Sequence, residues 1–219
     1  SSDLAVGIRE GDELVTARLT NGEEYILIAS KKGKVMICPE NEFRVMGRGA
    51  SGVKGMNLDG DGDGVIDMLN LPSEQEDLLV VSEHGYGKRS ALADYRATVH
   101  RGGKGVKAMQ ITEKTGPLAA VVNVSVEHDL MIINRSGITI RLKVADLRVL
   151  GRNTQGVRLI DLKGKDFIAS ITKVPSTPDE ETPETPDNPE TPETPENPET
   201  QETSETSESN NPADNDTKE

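Results

Sequence analysis

Three short apolar runs, Tyr25 to Ala29, Leu78 to Val81 and Leu130 to Ile133, each end at a polar turn carrying a glycine. The glycines are Gly33, Gly85 and Gly137, and both intervals are 52 residues. Continuous apolar runs of this length, stopped by turn residues, predict strands buried on both faces. After Gly137, Ile138, Ile140, Leu142 and Val144 alternate with Thr139, Arg141 and Lys143, which predicts a half-buried strand with a cationic outer edge. A second mark recurs further along each unit. Gly47-Arg48-Gly49-Ala50-Ser51-Gly52-Val53-Lys54 matches His100 to Lys107 and Gly151 to Arg158, each with an arginine, a glycine four positions later, then valine and a base. A closing strand is predicted in each unit, over Val65 to Leu69, Leu118 to Val124 and Phe167 to Val174. Four short strands in about 50 residues is the size of a propeller blade. No long stretch has a helical period, so the expected fold is all-β, an incomplete propeller-like array of about three four-stranded blades.

The expected boundaries follow from the repeat: a remnant and link over 1–22, blades over 23–75, 76–127 and 128–174, and a tail over 175–219. Leu4 to Ile8 reads as the closing strand of an earlier unit and Leu14 to Leu19 as the link into the first full one, which makes the chain a fragment of a longer array. Three units alone leave sheet edges that a closed ring would hide.

Charge changes this picture only when divided. The 219 residues carry 38 acids and 25 bases, a net of −13 that argues against a polyanion binder. Yet fifteen acids and one base fall beyond Val174, leaving 23 acids and 24 bases in the body. From Glu181 the acids come every third residue, most behind a proline, as in Thr182-Pro183-Glu184. Such a segment cannot bury enough surface to fold. Proline biases it to polyproline II, which lines the carboxylates along one edge about 9 Å apart. The expectation is a disordered polyanion that competes with a polyanionic ligand for the basic residues of its own body, an intramolecular contest in which weak contacts count.

The body's bases recur at matched turns and strand edges: Lys31, Lys32, Lys54, Lys88, Arg89, Arg101, Lys104, Lys107, Arg135, Arg141, Lys143, Arg152 and Arg158. Equivalent turns of stacked repeats face the same way, so these charges form a band suited to a bent phosphate backbone. Five aromatics and no tryptophan disfavour single-strand stacking. Without a base-reading helix, selectivity would come from DNA deformability. A charge run by itself is ordinarily a solvated surface; recurrence at matched positions favours the binding band.

Other chemistry is sparse. Asp59, Asp61, Asp63 and Asp67 follow the spacing of a calcium loop, with Gly64 at its sixth position. The twelfth position is Asn70, which cannot supply a bidentate carboxylate, and Asp-Gly pairs are ordinary hairpin chemistry, so no metal is favoured. His84, His100 and His128 lie far apart, and Gly102-Gly103-Lys104-Gly105 is too short for a phosphate-binding loop. Cys38 stands alone, which precludes an internal disulfide and fits a reduced, cytoplasmic compartment. No apolar stretch approaches the roughly 18 residues of a membrane span.

Glu76 to Val81, Gly85-Tyr86-Gly87-Lys88-Arg89, Asp94-Tyr95-Arg96 and Gly151-Arg152-Asn153-Thr154-Gln155-Gly156-Val157 together resemble the C-terminal domain of the DNA gyrase A subunit, over about residues 4–174. The resemblance implies a six-bladed β-pinwheel in which neighbouring blades exchange strands, of which this chain would hold the last three blades. It implies that double-stranded DNA wraps a basic rim and that the holoenzyme, an ATP-dependent type II topoisomerase, thereby adds negative supercoils. The implied partners are the rest of the gyrase A subunit, together with the gyrase B subunit, in an A2B2 assembly in the bacterial cytoplasm. ATP and magnesium would be bound elsewhere, with no cofactor here. The family's box, of Gln-Arg-Arg-Gly-Gly-Lys-Gly type, belongs to a first blade that this sequence lacks; Thr98 to Gly105 is a relative of it in a later blade. None of Tyr25, Tyr86 and Tyr95 matches the family's DNA-cleaving tyrosine, so no catalysis is expected. The alternatives are the corresponding C-terminal domain of topoisomerase IV and a propeller-type scaffold for protein partners.

Overall fold

The computed structural model describes residues 6–71, 76–164 and 166–176. Leu4, Ala5 and the acidic tail beyond Ser176, with its expected rim contact, lie outside the described residues.

Among the described residues eleven strands build three antiparallel sheets. In the first, β1 (Tyr25–Ser30) sits between β3 (Val65–Leu71) and β2 (Lys34–Pro39), and β2 is edged by β6 (Val106–Lys107). The second repeats the pattern, with β4 (Asp77–Ser82) between β7 (Leu118–Val124) and β5 (Tyr86–Ala91), and β10 (Val157–Arg158) outside β5. The third has three strands, β8 (His128–Asn134) between β11 (Ile168–Pro175) and β9 (Thr139–Lys143). The chain is all-β in three propeller-like blades, and the fourth strand of each complete blade is donated by the following repeat. This donation is why the third sheet has three strands rather than four among the described residues.

The first two apolar runs became central strands buried on both faces, whereas in the third Met131 is half-buried and Ile133 exposed, because β8 lies in the last sheet and no further sheet covers that face among the described residues. Leu27 and Ala29 join Leu78, Val80 and Leu118 in one core between the first two sheets, whereas Ile26 and Ile28 pack with Met36, Cys38 and Met56 on the opposite face. Leu79 and Val81 pack with Leu130, Ile132 and Val144 between the second and third sheets. Burial also pushes the Cys38 thiol up to about 11, so it is a packing residue rather than a nucleophile. Each central strand meets its closing strand through a register shift at its last residues, Ala29/Ser30, Val81/Ser82 and, across from β8, Ile168/Ser170. Such bulges deepen the local twist.

The two ends differ from expectation. Residues 6–24 form no strand: a closing strand needs a central strand of its own unit to pair with, and none precedes it among the described residues. At the other end β11 runs to Pro175 and the Ser176 hydroxyl donates to Asp129 Oδ1 (2.6 Å). That hydroxyl, with the Arg141 guanidinium, holds the Asp129 carboxyl below the usual carboxylate range. No helix among the described residues is long and apolar enough to cross a membrane.

Candidate nucleic-acid interface

The exchanged strands β6 and β10 form one edge of the first and second sheets, so their seating decides where the charges on that edge go. Val106 and Lys107 pair with Val35 and Lys34, and Val157 and Arg158 pair with Gly87 and Tyr86. The Ala108 and Leu159 amides then donate to the Gly33 and Gly85 carbonyls, both at 2.8 Å. Gly105 and Gly156 precede the donated pairs at φ +67° and +76°, and a Cβ there would stand 2.4 Å from the Val35 oxygen and 2.5 Å from the Gly87 oxygen. The glycine of this motif is therefore required twice, for its backbone conformation and for close approach.

Upstream of each donated pair lies a strap along the receiving blade. The Thr98 amide donates to the Ile37 carbonyl, as the Leu150 amide does to that of Arg89, both at 2.7 Å. Arg101 reinforces the first strap, giving Nε to the Glu42 carbonyl (3.1 Å) and Nη1 to the Lys54 carbonyl (2.9 Å). In the second, the receiving strand supplies the side chains. Lys88 Nζ donates to the Gly151 carbonyl (2.6 Å), and Ser90 Oγ to that of Leu150 (2.6 Å). Arg89 donates Nη1 to the Val144 carbonyl (2.9 Å) and pairs with Asp77 at 3.1 Å. Lys88 and Arg89 are only 1% and 8% exposed, so the structure removes both from the expected surface band. The Arg89–Asp77 pair recurs one repeat later as Arg141–Asp129 (2.7 Å), which makes it a device of the sheet.

The remaining cations of the band are exposed, but unequally committed. Lys32 Nζ donates to the carbonyls of Asp59 (2.6 Å) and Asp61 (3.1 Å), and Arg158 donates Nη1 to Asp161 (2.7 Å) and Nη2 to the Tyr86 hydroxyl (3.1 Å). The Arg135 guanidinium lies over the Phe167 ring at 4.1 Å. Arg141 and Lys143 lie on β9, Arg141 also reaching the Pro175 carbonyl at 3.3 Å. Lys31, Lys54, Lys104, Lys107 and Arg152 project from turns and donated strands into solvent.

Sequence reasoning missed a threefold set. Three short 3-10 turns, Glu40–Glu42, Leu92–Asp94 and Val144–Asp146, follow the second strand of each unit and close on Phe43, Tyr95 and Leu147. The next residue is arginine every time: Arg44, Arg96 and Arg148, all exposed. Among the described residues none of the three has an ion-pair or side-chain hydrogen-bond partner. Their spacing of 52 was the available signal. A further unassigned cation, Lys114, stands with its ammonium 5.2 Å from the Tyr86 ring, whose other neighbour is Arg158.

The four calcium-patterned aspartates do not converge. Burial works against ionisation of Asp63, but amides of Asp59, Lys32 and Gly64 outweigh it and hold the carboxyl below its usual range. The Lys32 ammonium lies on the loop's carbonyls, Lys34 pairs with Asp59, and Asp67 lies away on β3, 3.8 Å from Arg18. Among the described residues no three acidic, histidine or cysteine side chains gather to hold a metal.

With this geometry in hand, known proteins supply the comparison. Residues 24–72, 76–125 and 128–175 each match the family model described as DNA gyrase C-terminal domain, beta-propeller. The DNA gyrase A subunit of Staphylococcus aureus (strain MRSA252) is 45% identical over 173 residues, which is 78% of this chain and 19% of that protein, so the chain spans about a fifth of the relative's length. The structure of a DNA gyrase A C-terminal domain matches with TM-score 0.71 and 25% identity, covering 77% of this chain and 57% of that one. The C-terminal domain of a DNA topoisomerase IV matches with TM-score 0.73 at 23% identity, covering 78% and 53%, and so shares the fold. Three blades joined by donated strands, each matched by the same family model, place this chain in the DNA gyrase C-terminal domain, beta-propeller, family.

Proposed function

We propose that the chain is a DNA-wrapping module of a gyrase-type topoisomerase, in which duplex DNA bends around a rim of equivalent cations. The observation that carries this reading is the set Arg44, Arg96 and Arg148, exposed at the same point of three successive blades. Identical placement on stacked repeats offers a curved row of phosphate partners, with Lys31, Lys54, Lys104, Lys107, Lys114 and Arg152 beside it. Lys88 and Arg89 lie buried beneath the strap of the next repeat instead. Contacts of this kind confer affinity without base readout, so the module would select DNA by its deformability. In the whole protein it would serve a type II topoisomerase of the bacterial cytoplasm, joined to the rest of the gyrase A subunit, with the gyrase B subunit completing an A2B2 assembly. The DNA-cleaving chemistry, ATP and magnesium would all lie outside this chain. Topoisomerase IV shares the fold, but the 45% identity to a gyrase A subunit favours the gyrase reading.

The test is duplex affinity as a function of salt. The full chain should bind with a steep log–log slope, and Arg44→Ala/Arg96→Ala/Arg148→Ala should reduce that slope by roughly 3, about 0.9 per lost phosphate contact. Lys32→Ala, whose ammonium already serves the Asp59 loop, should change it by less than about 0.5. An unchanged slope in the triple variant would sink the arginine row. Truncation after Ser176 should tighten binding at low salt if the acidic tail competes for the rim; equal affinities would remove the tail from the mechanism.

A further inference from the structure

The loops that lead into the closing strands β3 and β7 run between matched anchors. Asn57 and Gln110 donate to the Gly103 and Thr154 carbonyls at 2.8 and 3.0 Å, and Val65 and Leu118 stand opposite Ser30 and Ser82. The intervening segments are equal in length, so Asp61 of the first loop corresponds to Lys114 of the second. In the first repeat this end of the sheet is neutralised from within. Lys34 pairs with Asp59, and the Lys32 ammonium lies on the Asp59 and Asp61 carbonyls. In the second repeat Tyr86 takes the place of Lys34 and His84 that of Lys32, and the loop carries Lys114 beside an exposed Glu113.

A cleft of about 530 Å³ opens there, at the end of the second sheet, within the size range of small-ligand sites. Its donors converge on Tyr86, which is 9% exposed. Arg158 donates Nη2 and Nε to the Tyr86 hydroxyl at 3.1 and 3.4 Å, so the phenol keeps its own proton to give. With Nη1 on Asp161, the guanidinium has committed three of its five N–H groups. The Lys114 ammonium stands 5.2 Å from the centre of the Tyr86 ring, and among the described residues no carboxylate pairs with it. The Arg158 hydrogen bond, with the charges of Arg158 and Lys114, outweighs burial and holds the Tyr86 hydroxyl below the usual phenol range. The potential at that oxygen is therefore positive.

The loop that carries Lys114 is fixed on both sides. A carbonyl only accepts, so His84 Nδ1 donates to that of Lys114 (3.1 Å), and the Thr112 amide donates to Thr115 Oγ1 (2.9 Å). Of the acids that line the cleft, Asp166 already accepts from the Ser136 hydroxyl (2.8 Å) and the Phe167 amide (2.9 Å). Asp161 is held by Arg158, which leaves Glu83. Leu162 and Phe167 supply apolar wall.

We propose that this cleft binds a small phosphate monoester, its oxygens taking the Lys114 ammonium, the Tyr86 hydroxyl and the uncommitted N–H groups of Arg158, its organic body lying on Leu162 and Phe167. A terminal phosphate offers three oxygens and nearly two charges to these three donors. A DNA backbone phosphate shares the chemistry but carries one charge and two free oxygens. Asp161 is the ligand's competitor for Arg158. The site uses none of Arg44, Arg96 and Arg148, and does not rest on the DNA reading.

Titration of the full chain with phenyl phosphate up to roughly 10 mM, followed by amide NMR shifts, tests the site. The amides of His84, Tyr86, Lys114 and Arg158 should shift saturably with a Kd of about 1 mM or tighter. Inorganic phosphate, which leaves Leu162 and Phe167 uncovered, should bind roughly threefold to tenfold more weakly. Lys114→Gln and Tyr86→Phe should each weaken phenyl phosphate about tenfold, and Asp161→Asn should tighten it about threefold. Lys114 and Asp161 are exposed, so those two variants report on the cleft without disturbing the fold. Shifts that do not saturate, or an affinity that Lys114→Gln and Asp161→Asn both leave unchanged, overturn the proposal. A short duplex separates the two sources of phosphate. It should leave bound phenyl phosphate in place; full displacement, with a tenfold loss of duplex affinity in Lys114→Gln, assigns the cleft to DNA and overturns the small-ester site.

Discussion

Replacing Gly156 with alanine should destabilise the protein by about 3 kcal/mol, while the same change at Gly52 should cost about 1 kcal/mol. Both residues hold a left-handed backbone, φ +76° and +79°, and an L-residue there loses about 1–2 kcal/mol. Only Gly156 carries a second cost, because its new Cβ would stand 2.5 Å from the Gly87 oxygen. Rigid backbone on both sides leaves no flexible side chain to yield, so the donated strand must shift or detach. At roughly 2–4 °C per kcal/mol for a chain of this size, the Gly156 variant should melt about 6–12 °C lower. Hydrogen exchange should locate the damage: the amides of Leu159 and Ile160, which donate to the Gly85 carbonyl, lose protection first. Equal losses at Gly156 and Gly52 would show that backbone conformation alone matters, and that strand seating does not limit stability.

The second large effect runs the other way. Lys88→Met should stabilise the protein at pH 7 by about 2 kcal/mol. Lys88 is buried, and loss of hydration, with repulsion from Arg152 and partial relief from Asp94, brings its pKa down to about 8. The unfolded chain keeps a lysine near its ordinary value of about 10.4. Between these two values the unfolded state holds a proton that the folded state has released, so stability rises with pH across that window and is lowest below pH 8. The full difference corresponds to about 3 kcal/mol of unfavourable charge burial. Methionine fills similar space without the charge, and Gly151 is an exposed residue, so its carbonyl can turn to water once the 2.6 Å bond is lost. Urea unfolding of both proteins from pH 7 to 10.5 gives the comparison, and the advantage of the variant should shrink steadily above pH 8. A difference that stays constant over that range would mean that Lys88 does not titrate in the folded protein.

These two residues also mark the boundary of what could be read along the chain. Gly156 was legible: its motif recurs three times, and a glycine fixed before valine and a base already signalled close backbone approach. Central strands were legible for a related reason, since an apolar run such as Leu78 to Val81 gains by burying both faces, although which runs find cover on both sides, as Leu130 to Ile133 does not, was left to the packing. The arginines after the 3-10 turns stand at the same spacing of 52, but outside the glycine motifs that mark the repeat. Lys88 and Arg89 were not. Tyr86-Gly87-Lys88-Arg89-Ser90 looks like a solvated strand, and only its cover makes it interior: Val157–Arg158 at its edge and the strap from Val144 to Gly151 across its side chains.

The sequence by itself thus determined the repeat, the strand class and the glycine-dependent turns, because each is a local property of spacing and backbone freedom. Tertiary structure alone decided which cations face solvent and which sheet received which strand. Those outcomes depend on segments some sixty residues apart, as Lys88 and Gly151 are, and a lysine is a surface charge or a buried one only according to what folds over it.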